Sequence, residues 1–285
     1  MTVRVTDAEI RSSSTWIVGH YGARYGVCIT GSYVVKFGPA VQTSREIMAI
    51  EFVRQKCPNI PVPEVHGTWE VDEDDGEKTG YFAMSVLPGS LLRDLWPTIT
   101  DSEKTTVLDD LAIILAQLRS IQAPEDSIIG AVDGIGPAAD LRASGAELGG
   151  PFPSECDFNE WLVSLIHPES RQYFSDFFVQ TIRNCLVGLG THRIRFSHGD
   201  LGMHNILVEG GRITGIIDWE YAGWYPEYWE YVKMVQFSTD KQFLCWCQQC
   251  WEIGGSKVRY DVEFAVDNML NSQVRHGERV IKRPR

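Results

Sequence analysis

Short runs of β-branched and aromatic residues, broken by glycines, dominate the start of the chain. Within residues 15–37 (TWIVGHYGARYGVCITGSYVVKF) this pattern predicts strands over residues 15–18, 25–30 and 33–37. The period then changes to a helical one. Thr43-Ser44-Arg45-Glu46 has the spacing of a capping box, and Ile47, Ile50 and Val53 form an apolar stripe behind it. Pro58, Pro61 and Pro63 end that helix. Residues 64–71 and 80–86 read as two further strands joined by the acidic turn VDEDDGEKTG. Five strands and one helix make a small lobe.

Leu87-Pro88-Gly89 interrupts the pattern, and beyond it the periodicity is mostly helical. Thr100-x-x-Glu103 is a second capping box, followed by Val107, Leu108, Leu111, Ile114, Leu115 and Leu118 at helical spacing. Residues 124–155, rich in Gly, Pro, Ala and Ser, read as a long excursion. Further helices are expected near 157–166, 170–188, 226–235, 239–252 and 258–273, with a basic, frayed end RVIKRPR. The expectation is an α+β chain of two lobes. A small five-stranded antiparallel one covers residues 1–86, and a larger, mainly helical one covers residues 87–285.

The chemistry concentrates in residues 197–221, SHGDLGMHNILVEGGRITGIIDWEY. Residues 206–208 and 213–217 are β-type runs separated by Glu209-Gly210-Gly211-Arg212, a hairpin signal because both glycines can take positive φ. Closing that hairpin brings Asn205 next to Asp218, and Asp200 stands only five residues before Asn205. Two carboxylates and an amide oxygen are hard ligands suited to Mg²⁺ on phosphate oxygens. Phosphoryl transfer needs little more than charge neutralisation and an acid to orient a hydroxyl and take its proton.

Composition narrows the field by exclusion. The 285 residues carry 38 acidic against 26 basic side chains, a net charge of −12, which disfavours nucleic acid as a partner. No apolar run approaches the ~20 residues that span a bilayer. MTVRVTDAEIRSSST lacks the apolar core of a signal peptide, so the cytoplasm is the expected compartment. Seven cysteines in no framework spacing fit a reducing environment, and Cys245, Cys247 and Cys250 read as packing residues of a buried helix.

His198-x-Asp200-x-x-x-x-Asn205, followed by Asp218, is similar to the catalytic and metal-binding loops of the kinase superfamily. The wording HGDLGMHNILV and then IIDWEYAG resembles the aminoglycoside phosphotransferase/choline kinase-like family. The resemblance implies a protein-kinase-like fold with ATP between the lobes, and transfer of its γ-phosphate to a hydroxyl of a small molecule. It implies Asp200 as base, Asn205 and Asp218 as Mg²⁺ ligands, and His198 as a brace for the loop. Lys36, at the end of the third strand, would grip the nucleotide phosphates and pair with Glu46, with Glu51 on another helix face as the competitor. Backbone groups of Ser85, Val86 and Leu87 would hold the adenine.

Several features depart from that family's pattern. The glycines at 19, 22, 26 and 31 do not form G-x-G-x-x-G, and Asp218 is followed by Trp219-Glu220. The family often carries an acid about ten residues after the metal aspartate, where this chain has Trp229 and then Glu230. The short stretch from Asp218 to Pro226 leaves no room for an extended activation segment, which disfavours a protein substrate. Glu220, Tyr221, Trp224, Tyr225, Glu227, Tyr228 and Glu230 could line a pocket for a cationic acceptor; the plainer alternative is a helix start with core aromatics. The rival function is a catalytically silent, kinase-like binding module.

Overall fold

A computed structural model of the chain describes residues 3–124, 128–142, 148–166, 176–235, 246 and 260–281, the stretch 272–281 as helix backbone. Cys245, Cys247 and Cys250, most of the expected 239–252 helix, the first residues of the expected 170–188 helix and the last four residues lie outside these. The chain divides into two compact units, Met1–Ile114 with Met203–Glu220, and Leu115–Gly202 with Tyr221–Arg285.

The first unit holds the sheet. Strands β1 (Thr15–Val18), β2 (Gly26–Thr30), β3 (Tyr33–Pro39), β4 (Val65–Asp72) and β5 (Lys78–Ser85) lie in the order β1-β2-β3-β5-β4. Every neighbouring pair is antiparallel. Helix α1 (Asp7–Arg11), which sequence patterning missed, is closed by a capping box of Thr6 and Glu9. It buries Ile10 beside Val5, Cys28, Val35 and Ala83 on one face of the sheet.

Helix α2 (Ala40–Lys56) corrects an expectation. It begins at the end of β3, with Pro39 as its N-cap and no side-chain cap. Pro39 already has a φ near the helical value, so the strand turns into helix without a polar cap. Thr43 and Glu46 are therefore inside the helix, not a capping box, and the Thr43 hydroxyl donates to the Ala40 carbonyl at 3.0 Å. The buried face runs through Thr43, Glu46, Ile50 and Val53, a spacing of three and four that puts Glu46 against the sheet.

The predicted hairpin is present: β8 (Ile206–Glu209) pairs with β9 (Arg212–Ile216), and short β6 (Ser90–Leu91) adds on the other side of β8. Gly210 and Gly211 have φ of 58° and 75°, as a turn with both central residues left-handed requires. After α3 (Leu92–Leu95), α4 (Asp101–Ser120) opens with the predicted capping box, Glu103 N–H donating to the Thr100 hydroxyl at 3.2 Å. Asp110 on α4 takes two 2.8 Å bonds from the Arg212 guanidinium and so fixes the hairpin to the helix.

The second unit is mainly helical. It contains α5 (Glu155–Ser164), α6 (Asp176–Gly188), α7 (Trp229–Val235), α8 (Asp261–Ile281) and one strand pair, β7 (Ile194–Ser197) against β10 (Gly223–Pro226). Phe158, Leu162, Ile182, Leu186, Trp229 and Leu270 form its core. Pro226 ends a strand, so the helix expected from 226 starts three residues later, at Trp229. Within the 124–155 excursion, the described residues form bridges Ile129 to Phe152, Gly130 to Trp224 and Ala138 to Gly149.

Candidate active site

In the first unit the sequence delivers four charged side chains to one point. Lys36 sits mid-strand on β3 and Glu46 on the buried face of α2. The hairpin supplies the others: Ile217 N–H donates to the Asn205 carbonyl at 3.0 Å, closing the open end, and the chain then turns at Asp218 with φ of 65°. Aspartate is one of the few side chains that tolerates this left-handed region.

The Lys36 ammonium lies 2.7 Å from Glu46 Oε2, 2.7 Å from Asp218 Oδ1 and 3.2 Å from Glu220 Oε2. Glu51 is exposed, so Glu46 is the partner of Lys36. Burial alone would lower the lysine pKa, but Asp218, Glu46 and Glu220 raise it well above its ordinary value. Burial pushes Glu46 up to about 7; Lys36 opposes that rise, and the charges of Asp218 and Glu220 add to it. Three carboxylates around one ammonium leave an excess of negative charge. Glu220, one of the candidates for an acceptor pocket, meets Lys36 in this cluster.

Asn205 is buried at the end of a 3₁₀ turn, Met203–Asn205, beside Asp218 through the hairpin backbone. Ser85 closes β5: its N–H donates to the Glu64 carbonyl and its hydroxyl accepts from Glu64 N–H, both at 2.9 Å. Val86 and Leu87 follow the strand and take part in no strand pairing among the described residues, and Val86 is exposed.

In the second unit, β7 ends at Ser197 and runs into a buried loop carrying His198 and Asp200. Asp200 N–H donates to His198 Nδ1 at 3.2 Å, and Gly202 N–H to the Asp200 carbonyl at 2.8 Å. Gly199 has φ of 81°, and a Cβ there would lie 2.7 Å from the Tyr221 carbonyl oxygen, so the turn needs glycine. The Glu230 carboxylate accepts from His198 N–H. Glu230 stands one residue after the position where the family often carries an acid. The chain passes from this unit to the other between Gly202 and Met203.

Burial holds Glu230 up at about 7, against the His198 and Gly199 amides and Arg119, which favour its charged form. A carboxyl raised from its unfolded value contributes its stability in full at low pH and loses it as pH climbs from about 4.5 through 7. Glu230→Gln, which keeps an acceptor oxygen, should flatten that dependence: between pH 5.5 and 8 the wild type should lose about 2 kcal/mol more than the variant in urea unfolding. Parallel pH profiles for the two proteins would refute this.

Trp219, Trp224, Tyr225, Tyr228 and Trp229 are buried, whereas Tyr221 is half-buried. Trp229 stacks on Tyr225 at 5.3 Å, the Tyr225 hydroxyl donates to the Ala139 carbonyl at 2.9 Å, and the Trp224 indole donates to the Val132 carbonyl at 3.0 Å.

The model of the phosphotransferase enzyme family, APH, matches residues 10–245. Among similar solved structures, the streptomycin–ATP–APH(2")-IIa ternary complex is 16% identical, covers 93% of this chain and 90% of its own, and has a TM-score of 0.63. A thermostable mutant of aminoglycoside phosphotransferase APH(4)-Ia in apo form is 18% identical over 93% and 88%, with a TM-score of 0.64. The GDP and kanamycin complex of APH(2")-IIia is 15% identical over 95% and 89%, at 0.61. At these identities the likeness establishes the two-lobed, kinase-like fold. No protein of curated function matches the chain in sequence.

Proposed function

Because this chain belongs to the phosphotransferase enzyme family and is a small-molecule kinase, we propose that it transfers the γ-phosphate of ATP to a hydroxyl of a small molecule, with Mg²⁺ bound. The observation that carries the reading is the Lys36 cluster, where one ammonium on the sheet meets Glu46, Asp218 and Glu220. An ammonium so placed can hold nucleotide phosphates, and Glu46 fixes its position.

The donor chemistry fits a hard divalent cation. Asn205 and Asp218 are the oxygen donors that would hold Mg²⁺, and the surplus of carboxylates favours added positive charge there. When bound, the ion would neutralise charge on the phosphate oxygens. Asp200 accepts the proton of the acceptor hydroxyl as its oxygen bonds to the γ-phosphorus and the bond to the β-bridging oxygen breaks, releasing ADP. His198, Gly199 and Glu230 hold its loop in shape. Backbone groups of Ser85, Val86 and Leu87 bind the adenine. In this assignment residues 1–86 are the nucleotide-binding lobe and residues 87–285 the catalytic and substrate-binding lobe.

The acceptor class to screen first is hydroxylated amines. The net charge of −12 draws cations, and the solved relatives include complexes with streptomycin and kanamycin. No helix among the described residues is long and apolar enough to cross a membrane, and Cys28 and Cys156 form no disulfide. We place the protein in the cytoplasm on its cysteine usage.

Calorimetry tests the nucleotide site directly. Wild type should bind ATP in the micromolar range when Mg²⁺ is present, and Asp218→Asn should lose that binding. An absence of binding in wild type would favour the catalytically silent, kinase-like module.

A further inference from the structure

A cavity opens on the face of the sheet away from Lys36. Side chains alternate along β3, so Phe37 points opposite to Lys36. Its register partner on β5 is Tyr81, and the partner of Tyr81 on β4 is Trp69. The three rings form a ladder across neighbouring strands: Phe37 and Tyr81 stack at 5.1 Å with planes 24° apart, Tyr81 and Trp69 at 5.5 Å and 10°. This ladder floors a cleft of ≈ 910 Å³. The N-terminal segment with α1, the β1–β2 loop and the β4–β5 turn wall it in.

The ladder ends at the sheet edge. β4 is the outermost strand, and Tyr81 is the single ring stacked on Trp69 among the described residues. Nor does any described cation sit over that indole, although tryptophan is the best cation–π acceptor. Beside it the β4–β5 turn brings Glu73, Asp74, Asp75 and Glu77 to the rim. Five carboxylates line the cleft against three cations, and one of those, Lys78, is engaged by Glu70 and Asp72. The other two, Arg4 and Arg24, stand on the N-terminal segment and the β1–β2 loop, so the carboxylates outside the 73–77 turn do not stand alone, which argues against a polycation spanning the whole cleft. Burial raises the Tyr81 phenol pKa, with Glu73 and Asp7 adding to the shift, as expected where the floor carries negative potential.

We propose that this cleft is a ligand site, selective for a flat aromatic molecule carrying one amine, its ring against Trp69 at the end of the Phe37–Tyr81–Trp69 ladder and its ammonium at the 73–77 turn. The site is independent of phosphoryl transfer: none of its side chains belongs to the Lys36 cluster or the Asp200 loop.

Calorimetric titration with tryptamine, using indole-3-acetate as the anion of similar shape, tests it on the full chain. Tryptamine should bind at least ~10-fold more tightly than indole-3-acetate and weaken as salt is raised. The triple variant Glu73→Gln, Asp74→Asn, Glu77→Gln sits on an exposed turn and leaves the core alone; it should weaken tryptamine at least ~10-fold, and Trp69→Ala should do the same. Binding must persist in Asp218→Asn, because loss there would assign the amine to the Lys36 cluster and overturn the proposal. Equal binding of the two probes, or an unchanged triple variant, would overturn it as well.

Discussion

Replacing Asp200 with alanine should lower turnover with a hydroxylated acceptor by at least ~10²-fold, the usual order for a positioned base, while ATP binding stays within a few-fold of wild type. The reason to expect a chemical effect alone lies in how the loop is held. His198 N–H is taken by Glu230, the turn is set by Gly199 at φ of 81°, and Gly202 N–H bonds to the carbonyl of Asp200. Of the bonds described, Asp200 contributes its own backbone N–H and carbonyl, which alanine keeps. These backbone bonds survive the substitution, so the turn set by Gly199 should persist. Asp200→Asn is the sharper variant, because the amide matches the carboxylate in size but is a far weaker base. If either variant turned over at close to the wild-type rate with a true acceptor, Asp200 would not be the base.

The parts of this site that the sequence revealed are those made by local chain geometry. The Gly210-Gly211 turn needs neighbours only a few residues away, and once it is closed Asn205 and Asp218 must meet. Strand patterning over residues 15–37 worked for the same reason, since alternating burial along β2 and β3 is a local signal. Glu46 was harder. Its spacing from Thr43 fits a capping box equally well, and only the continuous passage of β3 through Pro39 into α2 puts both residues inside the helix.

Glu220 and Glu230 stood in a run of aromatics and acids that reads either as a pocket wall or as a helix start with core aromatics. Their actual partners, Lys36 and His198 N–H, lie 184 and 32 residues away. One signal was available for Glu230: the resembled family often carries an acid near that spacing, where this chain has Trp229. For Glu220 no local pattern points to Lys36. Charged residues in a Gly- and Pro-rich excursion read as solvated, which is why nothing marked Asp140 and Arg142 as core.

Those two residues anchor the largest stability effect expected here. Arg142 Nε and Nη2 bind the two oxygens of Asp140 at 2.7 and 2.8 Å, and Nη1 reaches Asp267 Oδ1 at 2.7 Å. Lys233 lies 3.1 Å from Asp140 and 3.5 Å from Asp267. All four are buried, and Trp229 lies beneath both cations, 4.2 Å from the Lys233 ammonium and 5.7 Å from the Arg142 guanidinium. Burial would raise the Asp140 pKa, but Arg142 and Lys233 hold it well below the carboxylate range. Lys233 is lowered by burial and by the nearby Arg142 charge.

The set is neutral as it stands, two charges of each sign. Arg142→Met removes one cation and leaves Asp140 and Asp267 sharing Lys233 in a dry interior, at a cost of about 3–5 kcal/mol. An exposed pair such as Arg183–Glu160 should cost under about 1 kcal/mol when cut. Urea unfolding at pH 7.5 distinguishes the two magnitudes.

The pH dependence gives the stricter check. In wild type the lowered Asp140 pKa contributes stability at neutral pH that is lost as pH falls below the unfolded value near 4. In Arg142→Met an under-paired aspartate is relieved by taking up a proton, so acid should favour the variant. The gap between the two proteins should therefore shrink as pH is lowered from 7.5 towards 4. A gap that stayed constant, or a loss below about 1 kcal/mol, would mean that Arg142 acts by packing on Trp229 and not by charge.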